Sequence, residues 1–195
     1  KLGAKIEAKG LAVSAGVPVT PGFFESGAKA ERLLEEAIKI GFPVMLKASA
    51  GGGGRGMRIV RDPRLFLEEA SIAADEALKG FGDDAMMVEK LIEQPRHIEA
   101  QILADTHGNI AVLFERECSL QRRHQKLVEE APSPVFSMAP EKWDQMRSAV
   151  VSLVKAARYT GAGTAEFMYD ETSGEFYFLE VNARLQVEHP VTELI

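Results

Sequence analysis

The sequence predicts an α+β fold, in which antiparallel strand pairs and amphipathic helices occupy separate runs. Three observations point that way. The glycine run Ser49–Gly56 lies between two strand-like segments, Val44–Lys47 and Met57–Val60, so it reads as strand, loop, strand. Thr106-His-Gly-Asn109 joins two longer apolar runs and is a hairpin signal. Glu171-Thr-Ser-Gly-Glu175 is a turn between Gly163–Asp170 and the strand-like run that leads to Asn182.

The elements follow in order. Lys5 to Ala15 has helical composition and stops at Gly16-Val-Pro18; Val19-Thr-Pro-Gly22 is extended and turn-forming. Ala28 to Ile40 is a helix with Leu33, Leu34, Ala37 and Ile38 on its apolar face, ended by Gly41-Phe-Pro43. After the two strands around the glycines, Asp62-Pro63 caps a helix through about Lys79. Its Phe66, Ala70, Ala73 and Ala77 recur at helical spacing. Ala85–Lys90 is a third strand, so residues 19 to 90 are expected to form a unit of three strands and two helices. His97–Asp105 and Ile110–Cys118 then pair as strands. Pro140–Tyr159 is a helix that turns Trp143, Met146, Val150, Leu153, Val154 and Ala157 inward. The organisation expected is a linker helix over 1–18, a small glycine-loop unit over 19–90 and a larger sheet unit over 91–195.

Composition narrows the function. With 195 residues, 46% hydrophobic and 27% charged, the chain has an ordinary globular make-up and can bury a core. No apolar run approaches a membrane span and no signal-peptide pattern opens the sequence, so no membrane partner is expected. The start at Lys1 reads as the interior of something longer. A single Cys118 excludes an internal disulfide and leaves no Cys-x-x-Cys pair for zinc, which favours a reducing compartment. The net charge of −6 argues against a general nucleic-acid binder but leaves room for a local phosphate pocket.

Three segments carry chemistry. The glycine run formally satisfies GxGxxG through Gly51, Gly53 and Gly56, but a strand rather than a helix follows it. No Lys-Ser/Thr pair closes it, so it is neither a dinucleotide loop nor a Walker A loop. Bare N–H groups at such a tip, those of Gly53 and Gly54 among them, can form an anion nest over phosphates. A mobile surface loop is the alternative, and Lys47 at the end of the preceding strand favours the phosphates. The second segment is basic: Arg122, Arg123, His124 and Lys126 fall within five residues, followed by Glu129 and Glu130. No aromatic residues interleave, which disfavours nucleic acid. A solvated face and a small-anion site both remain open.

The third segment is a hairpin centred on Ser173, which pairs Asp170 with Phe176, Met168 with Phe178 and Glu166 with Glu180. Two opposed carboxylates repel unless compensated. Mg²⁺ or Mn²⁺ would compensate them, with an amide oxygen from Asn182 two residues on. A solvated sheet face carrying two glutamates is the other reading.

Lys47-Ala-Ser-Ala-Gly-Gly-Gly-Gly-Arg-Gly-Met-Arg58, Pro95-Arg-His-Ile-Glu99, Glu115-Arg-Glu-Cys-Ser-Leu-Gln-Arg-Arg-His-Gln-Lys126, Glu129-Glu-Ala-Pro132 and Glu180-Val-Asn-Ala-Arg-Leu-Gln-Val-Glu-His-Pro-Val-Thr-Glu193 occur in this order. Together they resemble the biotin carboxylases, members of the ATP-grasp superfamily. The likeness runs over essentially the whole chain. It implies an ATP-grasp fold in which residues 19 to 90 are a glycine-loop lid packed over the first part of a larger antiparallel-sheet subdomain. It also implies a ligase that makes carboxyphosphate from bicarbonate and MgATP and carboxylates biotin on a carrier protein. Other ATP-grasp enzymes lack the Arg-Arg-His-Gln-Lys elbow. A carbamoyl-phosphate-synthetase-like domain is therefore the second expectation, and a nucleotide-binding module without turnover the third.

Position by position, the resemblance implies that Lys5 and Lys47 hold ATP phosphates, and that Glu89, Lys90 and Ile92 form the hinge that receives adenine. His97, Gln121 and His124 match nucleotide contacts, and Glu166, Glu180 and Asn182 match the metal site. Lys126, Arg184, Gln186, Val187 and Glu188 match the bicarbonate pocket, with Glu188 the base on bicarbonate and Arg184 the group that stabilises the biotin enolate. Gly3-Ala-Lys5 departs from the family's frequent Gly-Asp-Lys. The implied partners are a biotin carboxyl carrier domain and a carboxyltransferase, in cytoplasm or mitochondrial matrix. The parent could be an acetyl-, propionyl- or methylcrotonyl-CoA, pyruvate or urea carboxylase. A later family arginine falls outside these 195 residues, so they are expected not to carboxylate biotin efficiently alone. Residues 50 to 56 are expected to exchange amide protons quickly without ATP and slowly with MgATP, which hydrogen exchange would measure.

Overall fold

The computed structural model describes residues 5–25, 27–50, 56–123 and 125–195, which fall into two compact units. Helix α1 (Lys5–Ser14) opens the chain. The smaller unit centres on Thr20–Glu93 and the larger on Glu7–Val19 with Gln94–Ile195.

In the smaller unit, β1 (Gly22–Phe23), α2 (Ala30–Ile40), β2 (Val44–Ala48), β3 (Met57–Val60), α3 (Phe66–Phe81) and β4 (Met86–Lys90) follow one another. The sheet order is β1-β4-β2-β3, antiparallel throughout. The two-residue β1 adds a fourth strand to the three expected. Asp62 does cap, since its carboxylate accepts the Arg64 N–H at 2.9 Å, and a 3₁₀ turn precedes α3. All of Phe66, Ala70, Ala73 and Ala77 are buried. The apolar face of α2 is narrower than its composition suggested. Leu33 and Ala37 are buried but Ile38 is 60% exposed. Five residues on from Leu33, Ile38 is turned roughly 140° around the axis.

The larger unit is built on β5 (Pro95–Ala104), β6 (Ile110–Glu117), β9 (Gly161–Asp170) and β10 (Glu175–Asn182), in the order β10-β9-β5-β6. Strands alternate their side chains between faces. Ile98, Ala100, Ile102, Ala165, Phe167, Phe178 and Val181 therefore share a core with Ala8 and Ala12 of α1 and Met146, Val150 and Leu153 of α5 (Pro140–Ala157). Each large side chain buried there contributes about 1.5–3 kcal/mol. The opposite face presents His97, Glu99 and Gln101 from β5. Short elements complete the unit: the ribbon β7 (Gln121–Arg122) and β8 (Gln125–Lys126), α4 (Pro134–Met138) and α6 (His189–Glu193). None of these was anticipated, because two to five residues are too few to show a hydrophobic period.

The β9–β10 register corrects the expected pairing. Asp170 faces Glu175 rather than Phe176, and Met168 faces Tyr177 rather than Phe178. The turn is one residue tighter than a loop centred on Ser173 requires. The Gly174 N–H donates to the Asp170 carbonyl at 2.8 Å, with Gly174 at φ 70°, a conformation other residues rarely adopt. A bulge between Phe178 and Glu180 then shifts the ladder back, so Glu180 does face Glu166.

Candidate functional site

Register places four charged residues in one row across the larger sheet: Glu180 faces Glu166, Glu166 faces Glu99, and Glu99 faces Arg116. Over this row stands Lys126, delivered by the β7–β8 ribbon. Its ammonium donates to Glu166 Oε1 at 2.9 Å, to Glu188 Oε1 at 2.8 Å and to Glu99 Oε2. Burial alone would lower the Lys126 pKa; the carboxylates of Glu166, Glu99 and Glu188 reverse that and hold it well above the ordinary lysine value. One cation thus gathers three carboxylates.

Glu166 is the most heavily committed of them. His97 Nε2 lies 3.0 Å from its Oε2, and Asn182 Nδ2 donates to its Oε1 at 2.8 Å. Burial would raise its pKa, but the hydrogen bond from His97, with the charge and hydrogen bond of Lys126, brings it down to about 2. Gln121 sets the histidine. Its amide nitrogen donates to the Cys118 carbonyl at 2.8 Å, which fixes the amide orientation, and lies 2.7 Å from His97 Nδ1. With a donor aimed at Nδ1, the ring carries its proton on Nε2 and donates to Glu166.

The donor set fits a divalent cation. Glu180 makes no ion pair or side-chain hydrogen bond among the described residues, and Asn182 uses only its nitrogen on Glu166, leaving its oxygen. Glu99, Glu166, Glu180 and Glu188 are four carboxylates against two fixed cations, Lys126 and Arg116, an excess of two negative charges. All-oxygen ligands of this kind suit Mg²⁺ or Mn²⁺. Glu99, Cys118 and Glu188 also bring ligand-type atoms within 4.8 Å of one another. The Lys126 ammonium already bonds both glutamates, and burial with the Glu99 charge raises the Cys118 thiol, keeping it protonated. That trio is a lysine site rather than a metal site.

Glu188 sits at the N-cap of α6. Burial would raise its pKa, but the hydrogen bond from Lys126 wins and keeps it ionised. Gln186 is buried nearby in sequence, whereas Arg184 and Val187 are exposed, Val187 by 92%. Among the described residues Arg184 donates only to the Leu185 carbonyl, at 3.2 Å. In the smaller unit, Lys47 from β2 donates to the buried Glu89 of β4 at 2.6 Å. Lys90 spends its ammonium on the Gly41 carbonyl at 2.9 Å, just past the α2 C-terminus, and Ile92 is half-buried. Gly53, Gly54, His124 and the side chain of Lys5 lie outside the described residues.

Two members of the cluster escaped the sequence analysis: Glu99 and Arg116. The period-2 run His97-x-Glu99-x-Gln101 was the available signal, since its polar residues share one face.

Residues 4–195 match the family described as carbamoyl-phosphate synthase L chain, ATP binding domain, and the chain belongs to that family. Within it, the resemblance to biotin carboxylases holds, and the fold is that of their ATP-grasp structures. The chain is 52% identical over 194 residues to the methylcrotonoyl-CoA carboxylase α subunit of Mus musculus, a mitochondrial protein of which it spans 27%. It is 51% identical to a biotin carboxylase of Nostoc sp., spanning 43%. A biotin carboxylase–β,γ-ATP complex from Campylobacter jejuni superposes with a TM-score of 0.94 at 45% identity. The match covers all of this chain and 43% of that one. The biotin carboxylase domain of Hydrogenobacter thermophilus 2-oxoglutarate carboxylase, solved with MgADP, ADP and bicarbonate, gives 0.93 at 48%, again over all of this chain and 42% of that one. The chain therefore spans between about a quarter and under half of these relatives. Among the described residues no helix is long and apolar enough to cross a membrane.

Proposed function

We propose that this chain is the ATP-binding core of a biotin carboxylase, which uses MgATP and bicarbonate to carboxylate carrier-bound biotin through carboxyphosphate. The observation that carries the proposal is the convergence of Lys126, Glu166 and Glu188 over one row of the sheet. Glu166 and Glu180, with Asn182, would hold Mg²⁺ or Mn²⁺. When bound, the metal neutralises charge on the transferring phosphoryl group. Lys126 supplies the cation that binds bicarbonate. Drawing Lys126 toward bicarbonate releases Glu188, whose basicity then rises, and the ionised carboxylate accepts the bicarbonate proton. Arg184 is exposed and, among the described residues, bound only to the neighbouring Leu185 carbonyl, which leaves its guanidinium to meet the biotin enolate. Lys47, paired with Glu89, serves the nucleotide phosphates, Glu89, Lys90 and Ile92 the adenine, and His97 and Gln121 are further candidate nucleotide contacts.

The implied partners are a biotin carboxyl carrier domain and a carboxyltransferase, in cytoplasm or mitochondrial matrix. Relatives named for methylcrotonoyl-CoA, propionyl-CoA and pyruvate match at 52%, 52% and 48% identity, as expected if the acceptor is chosen elsewhere in the parent chain.

The test is ATP hydrolysis by the full natural chain carrying these residues, with and without bicarbonate and free biotin. Bicarbonate should stimulate it, and Arg184→Ala should remove the response to biotin. Hydrolysis indifferent to bicarbonate would leave only a nucleotide-binding module. For the metal, Mn²⁺ titration in the presence of ATP should show Glu180→Gln weakening binding by roughly tenfold or more, at least what losing an outer-shell partner costs. Unchanged affinity would remove Glu180 from the site.

A further inference from the structure

We propose that Arg116 is a positioning residue that holds Lys126 and Glu188 in mutual register, through Glu99 on one side and Thr192 on the other. The inference rests on the bicarbonate role given above to that pair. Arg116 is completely buried. Its Nε donates to Glu99 Oε1, while the other oxygen of the same carboxylate receives Lys126. Its Nη1 donates to Thr192 Oγ1 at 2.7 Å and to Gln101 Oε1 at 3.0 Å, and its Nη2 to Thr164 Oγ1 at 3.4 Å. One planar guanidinium therefore ties together β5, β6, β9 and α6.

Both routes end at the same contact. Through Glu99, Arg116 fixes the carboxylate on which Lys126 rests. Through Thr192, it grips α6, whose N-cap is Glu188. Neither Lys126 nor Glu188 sits on an element with a core of its own. β8 is two residues long, and Thr192 is the buried residue of the five-residue α6. The Arg116–Thr192 hydrogen bond is thus the polar anchor of that helix. A buried arginine–glutamate pair is a weak source of stability compared with apolar residues of the same volume. Its fork geometry, by contrast, fixes directions that an apolar contact leaves loose.

The test uses the full natural chain, two disrupting variants and two controls. Thr192→Val keeps the shape and removes the α6 acceptor for Nη1, leaving Gln101. Arg116→Lys keeps the charge and removes the fork. Each should raise KM for bicarbonate on the order of tenfold, the loss of a charged hydrogen bond, with KM for ATP unchanged. The acidic limb of the pH profile should also move upward, because a Glu188 no longer held against Lys126 titrates nearer its ordinary value. Thr192→Ser, which restores the hydroxyl, should recover the parent values. A merely structural role would lower the thermal midpoint and move neither quantity. Glu188→Gln separates the two layers. If it abolishes bicarbonate-dependent turnover while Thr192→Val and Arg116→Lys leave KM and the pH limb alone, the positioning role is wrong and the bicarbonate site stands. If Glu188→Gln changes nothing, the site itself is wrong and the positioning role falls with it.

Discussion

Lys126→Met is expected to destabilise the larger unit by roughly 3–5 kcal/mol, the cost of breaking a buried ionic cluster by removing one partner. If the proposed bicarbonate role holds, it should also silence bicarbonate-dependent turnover of the full natural chain. Three carboxylates, from Glu99, Glu166 and Glu188, converge on the one ammonium, and the glutamate side chains are no more than 7% exposed. Methionine fills the lysine stem but leaves those charges facing one another in a medium that screens them poorly. They cannot all stay ionised, so at least one should take up a proton near neutral pH. Urea unfolding at pH 7 measures the loss. A second substitution, Glu99→Gln, should restore part of it by removing one of the three charges. An unchanged urea midpoint for Lys126→Met would show that the cluster is solvated rather than buried.

The second large effect is on acid stability. In the metal-free protein the Glu166 carboxyl is held at about 2, against 4.5 for an ordinary glutamate. A depressed folded-state value contributes stability that is fully present above the unfolded value. That stability is lost as pH falls toward the folded one. Glu166 should therefore contribute on the order of 3 kcal/mol above pH 5, disappearing between about pH 5 and 2. Glu166→Gln keeps the shape and can still hydrogen bond, but it cannot titrate. Its urea midpoint should be lower at pH 7 and should fall less steeply on acidification than that of the parent. Parallel curves for the two proteins would mean that His97 and Lys126 do not hold Glu166 in its charged form.

Much of this site was legible because the informative features were local or repeated. The opposition of Glu166 and Glu180 followed from a turn signal between two short strands, and it survived although the neighbouring pairs were offset by one. That outcome depended on a bulge between Phe178 and Glu180, which nothing in the composition of the strand announced. Two displacements cancelled: a turn one residue tighter, and one extra residue in β10. The helical faces were legible for the same reason, with Ala70, Ala73 and Ala77 repeating at 3.6-residue spacing. Ile38 was not, because hydrophobicity marks a candidate for burial while only the neighbouring element decides which arc of the helix is covered.

The sequence by itself determined the α+β class, the order of the main strands and helices, the family likeness and the candidacy of Lys126, Glu166, Glu180 and Glu188 for the site. Each of these lies in a contiguous pattern, a period or a motif, and such patterns are local. Only the tertiary structure decided that Arg116 and Glu99 belong with them. Arg116 is seventeen residues from Glu99 and seventy-six from Thr192, and its partners come from three elements other than its own strand. A buried charge is tolerated only where several polar groups arrive together. Whether they do is a property of strand register and helix docking, which no stretch of neighbouring residues encodes.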